Sequence, residues 1–207
     1  MRILVIGASG AMGTNVVKGL STHHGKFGEG VIEILKASTT STDYPMDCTD
    51  DSSVRELFEK VGCVDAVVST IGGAQWASAE VVSLEQIKAT LEGKLLCQLR
   101  IALAARDHVV DGGSITLTSG IVGNFAFHGG SPSSIANLGL DAFVRNAAQE
   151  LRRIRLNAVS ATVLEESADA YGTVFPGFLP ISGERVASAY VRSVYGTETG
   201  QTIKVWS

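Results

Sequence analysis

Apolar residues occur along this chain in short blocks separated by longer stretches of mixed character, and the two kinds of stretch carry different periods. The blocks at 3–6, 31–37, 64–70, 114–118, 156–164 and 202–206 are rich in branched aliphatic residues and read as strands. A brief further strand is expected at 44–47. Between them, apolar positions three and four apart predict helices over 14–20, 53–61, 83–106, 133–152 and 182–195. Two helix starts carry a capping-box pattern, Ser53-Val-Arg-Glu56 and Ser83-Leu-Glu-Gln86. So little chain separates 31–37 from 44–47 that the helix of a parallel crossover is expected to be missing there or reduced to a turn. Polar, glycine-broken residues 22–30 read as a loop, Gly112-Gly113 as a turn, and 121–131 as a mobile glycine-rich segment. Residues 165–180, with Tyr171, Phe175 and Phe178, read as a lid. Alternating strands and helices without repeat or linker predict one α/β domain over residues 1–207, with a mainly parallel sheet of about seven strands.

Composition narrows the function classes. Hydrophobic residues are 45% and charged residues 18% of the chain, which fits a sheet covered on both faces. A formal net charge of −4, with no cluster of Lys and Arg, argues against a nucleic-acid partner. No apolar run approaches membrane-spanning length, and the run at 3–6 is too short for a signal peptide. Cys48, Cys63 and Cys97 are odd in number and lack metal-ligand spacing, which predicts reduced thiols in a cytoplasmic protein and no metal site.

The chemistry begins at Gly7-Ala-Ser-Gly10-Ala-Met-Gly13, where the first strand passes straight into the first helix. Gly7 suits a sharp turn, Gly10 close approach of a pyrophosphate, and Gly13 close packing of helix on strand. Ser9, Ala11 and Met12 complete the turn, and the free amides of the helix start favour phosphate. The end of the second strand, residues 37–42, carries no acid that would bind ribose hydroxyls and repel a 2′-phosphate. Lys36, Ser38, Thr39, Thr40 and Ser41 stand there instead, so NADP(H) is favoured over NAD(H); the same residues also read as a solvated loop. Thr70-Ile-Gly72-Gly73 closes another strand and suits a second cofactor contact. Ser119 closes the fifth strand, at the edge of the sheet where ligands of open α/β folds bind. His128, in the loop that follows, is a candidate acid because histidine is the side-chain type whose unperturbed pKa suits proton transfer near neutrality, and Tyr171 in the expected lid is a second candidate.

With these pieces placed, the chain resembles the short-chain dehydrogenase/reductase family over nearly its whole length. The matching segments are the glycine turn, Asp47 as the adenine contact, Ser69-Thr-Ile-Gly72 in place of Asn-Asn-Ala-Gly, and Leu117-Thr-Ser119-Gly. The helix from Leu140-Asp-Ala-Phe143 to Leu151 and the strand Asn157-Ala-Val-Ser160 complete it. The resemblance implies a Rossmann-like doubly wound fold and hydride transfer between a nicotinamide cofactor and a small carbonyl or alcohol. It also implies assembly as a homodimer or homotetramer.

One departure from the family is large. Aligned on Leu140-Asp-Ala-Phe143, Ser133 falls where the family has its catalytic tyrosine and Asn137 where it has lysine. Tyr44, Tyr171, Tyr190 and Tyr195 are followed four positions on by Cys48, Phe175, Val194 and Thr199, so no tyrosine supplies Tyr-x-x-x-Lys. Lys94 falls where the family carries an active-site asparagine, as if lysine and asparagine were exchanged; it also reads as a surface lysine of an amphipathic helix. The candidate catalytic set is therefore Ser119, Lys94, Ser133, Asn137 and His128, with Lys94 stabilising charge on oxygen or binding the nicotinamide ribose. The expected activity is oxidoreduction. A nucleotide-binding sensor that has lost turnover is the alternative, and an isomerase or dehydratase on the same fold a third reading.

Overall fold

Strand β1 (Arg2–Ile6) is buried along almost its whole length, and its side chains divide between two cores. Ile3 and Val5 enter one, Leu4 and Ile6 the other, as expected when both faces of a sheet are covered. The computed structural model describes residues 1–22, 31–73, 75–171 and 174–206. Among these, seven strands form one sheet in the order β3-β2-β1-β4-β5-β6-β7, every neighbouring pair parallel. The others are β2 (Glu33–Ser38), β3 (Tyr44–Pro45), β4 (Val64–Ser69), β5 (Val109–Thr118), β6 (Arg155–Ala161) and β7 (Thr202–Val205). The chain steps outward from β1 to β3 and then returns to place β4 on the other side of β1. That reversal opens a crevice at the carboxyl ends of β1 and β4.

Helices α1 (Ala11–Thr22) and α7 (Gly183–Tyr195) cover one face through Val16, Leu20, Val186 and Tyr190. The other face is covered by α2 (Asp51–Val61), α4 (Cys97–Ala105) and α5 (Ser131–Glu150), through Leu57, Phe58, Ile101, Leu140 and Val144. Leading into α4, α3 (Leu84–Thr90) is joined to it by a π-helical segment, Leu91–Leu96, so the long helix predicted over 83–106 carries a wider turn in its middle. The short helix α6 (Ala168–Tyr171) lies within residues 165–180, the segment expected to be a lid.

Several boundaries differ from the sequence expectation for local reasons. The capping box at Ser83 forms, but the one at Ser53 does not. Asp50 caps α2 by accepting from the Ser52 amide, and the Ser53 hydroxyl instead accepts from the Asp47 amide at 2.9 Å. Gly112-Gly113 is not a turn: β5 runs through it with a shift of register against β4, the kind of irregularity that glycine accommodates inside a strand. Pro132 sits in the first turn of α5, where a missing N–H costs nothing, so the helix starts ahead of Ser133. Strand β6 ends at Ala161, and Leu164 makes only an isolated bridge to Ile181. Of the predicted loop at 22–30, Thr22 closes α1 and the rest lies outside the described residues, as do residues 172–173 of the lid.

The thiols also need correction. Cys48 and Cys97, predicted to be reduced, form a disulfide, with Cα atoms 4.9 Å apart. They are 49 positions apart in sequence, and only the packing of α4 beside the loop after β3 brings them together. Cys63 remains a free, exposed thiol.

Candidate active site

The glycine turn is shaped by contacts that leave no room for side chains on its inner side. Gly7 has φ +83°, and a Cβ there would stand 2.8 Å from the Thr70 hydroxyl, which donates to the carbonyls of Ile6 and Gly7 at 3.1 Å each. A Cβ on Gly13 would stand 2.1 Å from the Gly7 carbonyl, so α1 lies against the turn only because that residue is glycine. Gly10 differs: its Cβ would meet only the Gly7 carbonyl, at 3.5 Å. Among the described residues nothing else comes within 4 Å of that position, and the first-turn amides of α1 beside it lack intrahelical partners.

Two hollows flank this turn. One, of about 550 Å³, is lined by Ala8 and Ser9 with Lys36, Ser38, Thr40, Asp43 and Tyr44. The other, of about 540 Å³, is lined by Ala11 and Met12 with Thr70, Gly72, Lys94 and Ser119. Gly10 lies in the turn between the residues that line one hollow, Ala8 and Ser9, and those that line the other, Ala11 and Met12.

Individual cofactor candidates are spread unevenly. In the first hollow the Ser38 hydroxyl lies 3.4 Å from that of Thr40. The Ser41 hydroxyl is occupied, donating to the Lys36 carbonyl and accepting from the Tyr44 amide. Thr39 is exposed but does not line that hollow, whereas Asp43, one position past the predicted acid-free stretch, does. Asp47 lines neither hollow; the amide of Thr49, and then its hydroxyl, bond its carboxyl and hold it below the usual range. Ser69 is fully buried behind the cleft, where its carbonyl accepts from the Thr118 hydroxyl at 2.6 Å.

The second hollow gathers most of the catalytic candidates. Ser119 follows β5, its amide donating to the Val159 carbonyl at 2.9 Å and its hydroxyl to the Asn137 carbonyl at 3.3 Å. Ser133 and Asn137 lie one turn apart on α5, 3% and 1% exposed. The Asn137 amide packs against Gly120, where a Cβ would come within 3.1 Å of its Nδ2. Lys94 enters from the π-helical segment with its stem across Gly72: a Cβ there would be 3.4–3.5 Å from Cγ, Cδ and Cε. It is the one charged side chain lining the cleft among the described residues. Burial pulls its pKa down to about 8, against an opposing pull from Asp141.

Three buried oxygens in this cleft, Ser133 Oγ, Asn137 Oδ1 and Thr162 Oγ1, have no hydrogen-bond partner among the described residues. Nor does the Lys94 ammonium have a hydrogen-bond or salt-bridge partner among them. Trp76, Tyr171 and Phe175 also line the cleft, the first and last meeting edge to face at 5.8 Å. His128 is not brought to this place. It is exposed and borders a separate hollow of about 290 Å³ with Phe127, Val174, Pro176 and Phe178.

Three residues of the site were not singled out from sequence. Asp141, one turn beyond Asn137, has its pKa raised by burial, with hydrogen bonds from Ser119 and Thr202 pulling the other way. Its spacing of four from Asn137 on α5 was the available signal. Gln98, four residues after Lys94, bonds the Thr118 backbone. Tyr190 lies beneath the cleft, its hydroxyl 2.6 Å from that of Thr118 and donating to the Met12 sulfur at 3.0 Å. Burial drives its pKa upward, so this phenol ties α7 to the glycine turn and is no substitute for the missing tyrosine acid.

Comparison with known proteins gives a consistent picture. A family model described as enoyl-(acyl carrier protein) reductase matches residues 11–194. No curated protein matches the sequence. Among solved structures, the protein lin1944 from Listeria innocua is 37% identical, with a TM-score of 0.93 and 100% of each chain covered. A small-chain dehydrogenase is 25% identical with a TM-score of 0.84, covering 100% of this chain and 96% of its own. A small-chain dehydrogenase in complex with NADPH superposes with a TM-score of 0.86 at 24% identity, over 99% of this chain and 96% of that one.

Proposed function

The chain belongs to the short-chain dehydrogenase/reductase family, and from that premise we propose that it transfers hydride between NADP(H) and a small carbonyl or alcohol, with Lys94 in the role the absent tyrosine leaves open. The observation that carries this reading is the placement of the Lys94 ammonium in the same cleft as Ser119, Ser133 and Asn137. The bound nicotinamide would supply or accept the hydride. The protein's part is then to hold a carbonyl carbon in place and to manage charge on its oxygen, since that charge grows as hydride arrives. Ser119 offers one hydrogen bond. Lys94 offers a charge-assisted one and also the proton, because a group with pKa about 8 is largely protonated at neutrality yet close enough to give its proton up.

The dinucleotide would lie across Gly10, its pyrophosphate on the amides of α1 and its nicotinamide end against Thr70 and Gly72. Lys36, Ser38 and Thr40 in the first hollow support a 2′-phosphate and hence NADP(H), and one structural neighbour of this fold was solved with NADPH. Leu103, Ile135 and Leu138 stand exposed on α4 and α5, which supports a homodimer or homotetramer, to be tested by light scattering.

A second reading, nucleotide binding without turnover, is favoured by Ser133 at the tyrosine position. One experiment separates the two. NADPH and NADH are titrated against the protein, and the nicotinamide absorbance band is then followed against a panel of carbonyl compounds. Binding with decay supports the oxidoreductase, binding without decay on any carbonyl supports the sensor, and no binding of either dinucleotide sinks both.

A further inference from the structure

The second hollow holds a cation, Lys94, that has no hydrogen-bond or salt-bridge partner among the described residues and feels only the charge of Asp141, whose own pKa burial raises. A buried or half-buried ammonium without a hydrogen-bonding partner is costly, and that cost is recovered when an anion fills the place. In the same cleft the hydroxyl of Ser133 and the amide of Asn137 are buried and able to donate, the Ser133 hydroxyl having no partner among the described residues, and the Ser119 hydroxyl can join them by giving up its bond to the Asn137 carbonyl. With a single cation, the set matches a monoanion. The cleft also has an apolar part, where Trp76 and Phe175 meet edge to face. A carboxylate beside the reacting carbonyl satisfies both halves: one oxygen of each group lies on a common edge, and one ammonium with three donors reaches both.

We infer that the substrate is a 2-oxo acid with an apolar side chain, or the matching 2-hydroxy acid in reverse, its carboxylate paired with Lys94 and its side chain against Trp76 and Phe175. The inference rests on the oxidoreductase reading above and adds the substrate class. In the reducing direction the 2-oxo acid, NADPH and one proton give the 2-hydroxy acid and NADP+. The carbonyl carbon receives the hydride and its oxygen receives the proton from the Lys94 ammonium, which recovers one from solvent. The carboxylate stays intact throughout.

The test compares phenylpyruvate with its neutral counterpart phenylacetone, by calorimetric titration into the wild-type protein with and without saturating NADPH. NADPH binding is followed separately by its own fluorescence. Phenylpyruvate is expected to bind about tenfold or more tighter than phenylacetone, and Lys94→Met is expected to remove that advantage in the titrations made without NADPH as well as in those made with it. Equal binding of the two compounds by the wild type overturns the inference, as does a preference that survives in Lys94→Met. A failure of NADPH to bind removes the cofactor reading instead, and the comparison without NADPH then still decides the acid preference. Should Lys94→Met not fold, the wild-type pair alone decides.

Discussion

Gln98 grips the backbone of Thr118 from both sides: its Nε2 donates to the Thr118 carbonyl at 2.6 Å and its Oε1 accepts from the Thr118 amide at 2.7 Å. The helix that carries Lys94 is thereby fixed to the strand that delivers Ser119. Replacing Gln98 by leucine leaves a buried amide and a buried carbonyl unpaired, at about 1–3 kcal/mol each. A loss of about 3 kcal/mol in urea denaturation is expected, together with reduced carbonyl turnover. A change below about 0.5 kcal/mol would show that the clamp carries no weight.

Gly10 and Gly13 should fail in opposite ways. A Cβ at Gly10 has room, so Gly10→Asp should fold normally and lose dinucleotide binding through charge at the pyrophosphate site. Gly13→Ala drives a methyl into the Gly7 carbonyl and should lower thermal stability as well as binding. Thermal melts with and without NADPH separate the two, and retained NADPH binding by Gly10→Asp contradicts the turn's role.

Lys94 gives the pH profile a sign. Reduction needs the ammonium, so kcat/KM for carbonyl reduction should fall as pH rises through about 8, and Lys94→Met should be slow at every pH. The folded pKa lies below the ordinary lysine value of 10.5, so between about 8 and 10.5 the unfolded chain binds more protons and stability should rise with pH. Lys94→Met should lack that rise in denaturant titrations, which otherwise would implicate a different group.

An aspartate at Ser38 should repel a 2′-phosphate and offer ribose hydroxyls an acceptor. The ratio of NADPH to NADH affinities in Ser38→Asp is expected to fall by about tenfold or more, equivalent to about 1.4 kcal/mol. A parent protein that already prefers NADH would remove the basis for this expectation.

The Cys48–Cys97 bond closes a loop of 49 positions, for which the chain-entropy account gives about 3–4 kcal/mol of stabilisation. Reduction by dithiothreitol should lower the melting temperature. Thiol titration of the unfolded protein should find Cys63 alone before reduction and three thiols after it. Three thiols without reductant would mean that the bond is absent.

What the sequence made legible was whatever depends on neighbours in the chain. The apolar run of β1, the glycine turn, the box at Ser83 and the placement of Ser119 after β5 all follow from local rules, and the strand sequence carried the fold class with them. What it hid depends on distant segments meeting. Cys48 and Cys97 carry no sign of their pairing, Gln98 looks like any polar residue in a helix, and Asp141 gains meaning only when α5 is laid beside Ser119. His128 was drawn in by being a histidine near Ser119 in sequence, but it borders a separate hollow with Phe127 and Phe178. The π-helical segment was invisible because the leucines at 91, 95, 99 and 103 keep a four-residue spacing through it.

That segment also restricts how this helix can change in length. Upstream of it the Thr90 hydroxyl accepts from the Gln75 amide at 3.1 Å, pinning the chain that leads to Trp76; downstream, Gln98 holds Thr118. A π-helical turn closes over one more residue than an α-helical turn, so removing one residue between them restores an α-helical ladder with both ends in nearly their present rotation. Both anchors then survive. Relatives that keep both contacts should accordingly tolerate the loss of one residue within 91–96, while a loss of two, which turns one end by about 100° relative to the other, should be rejected.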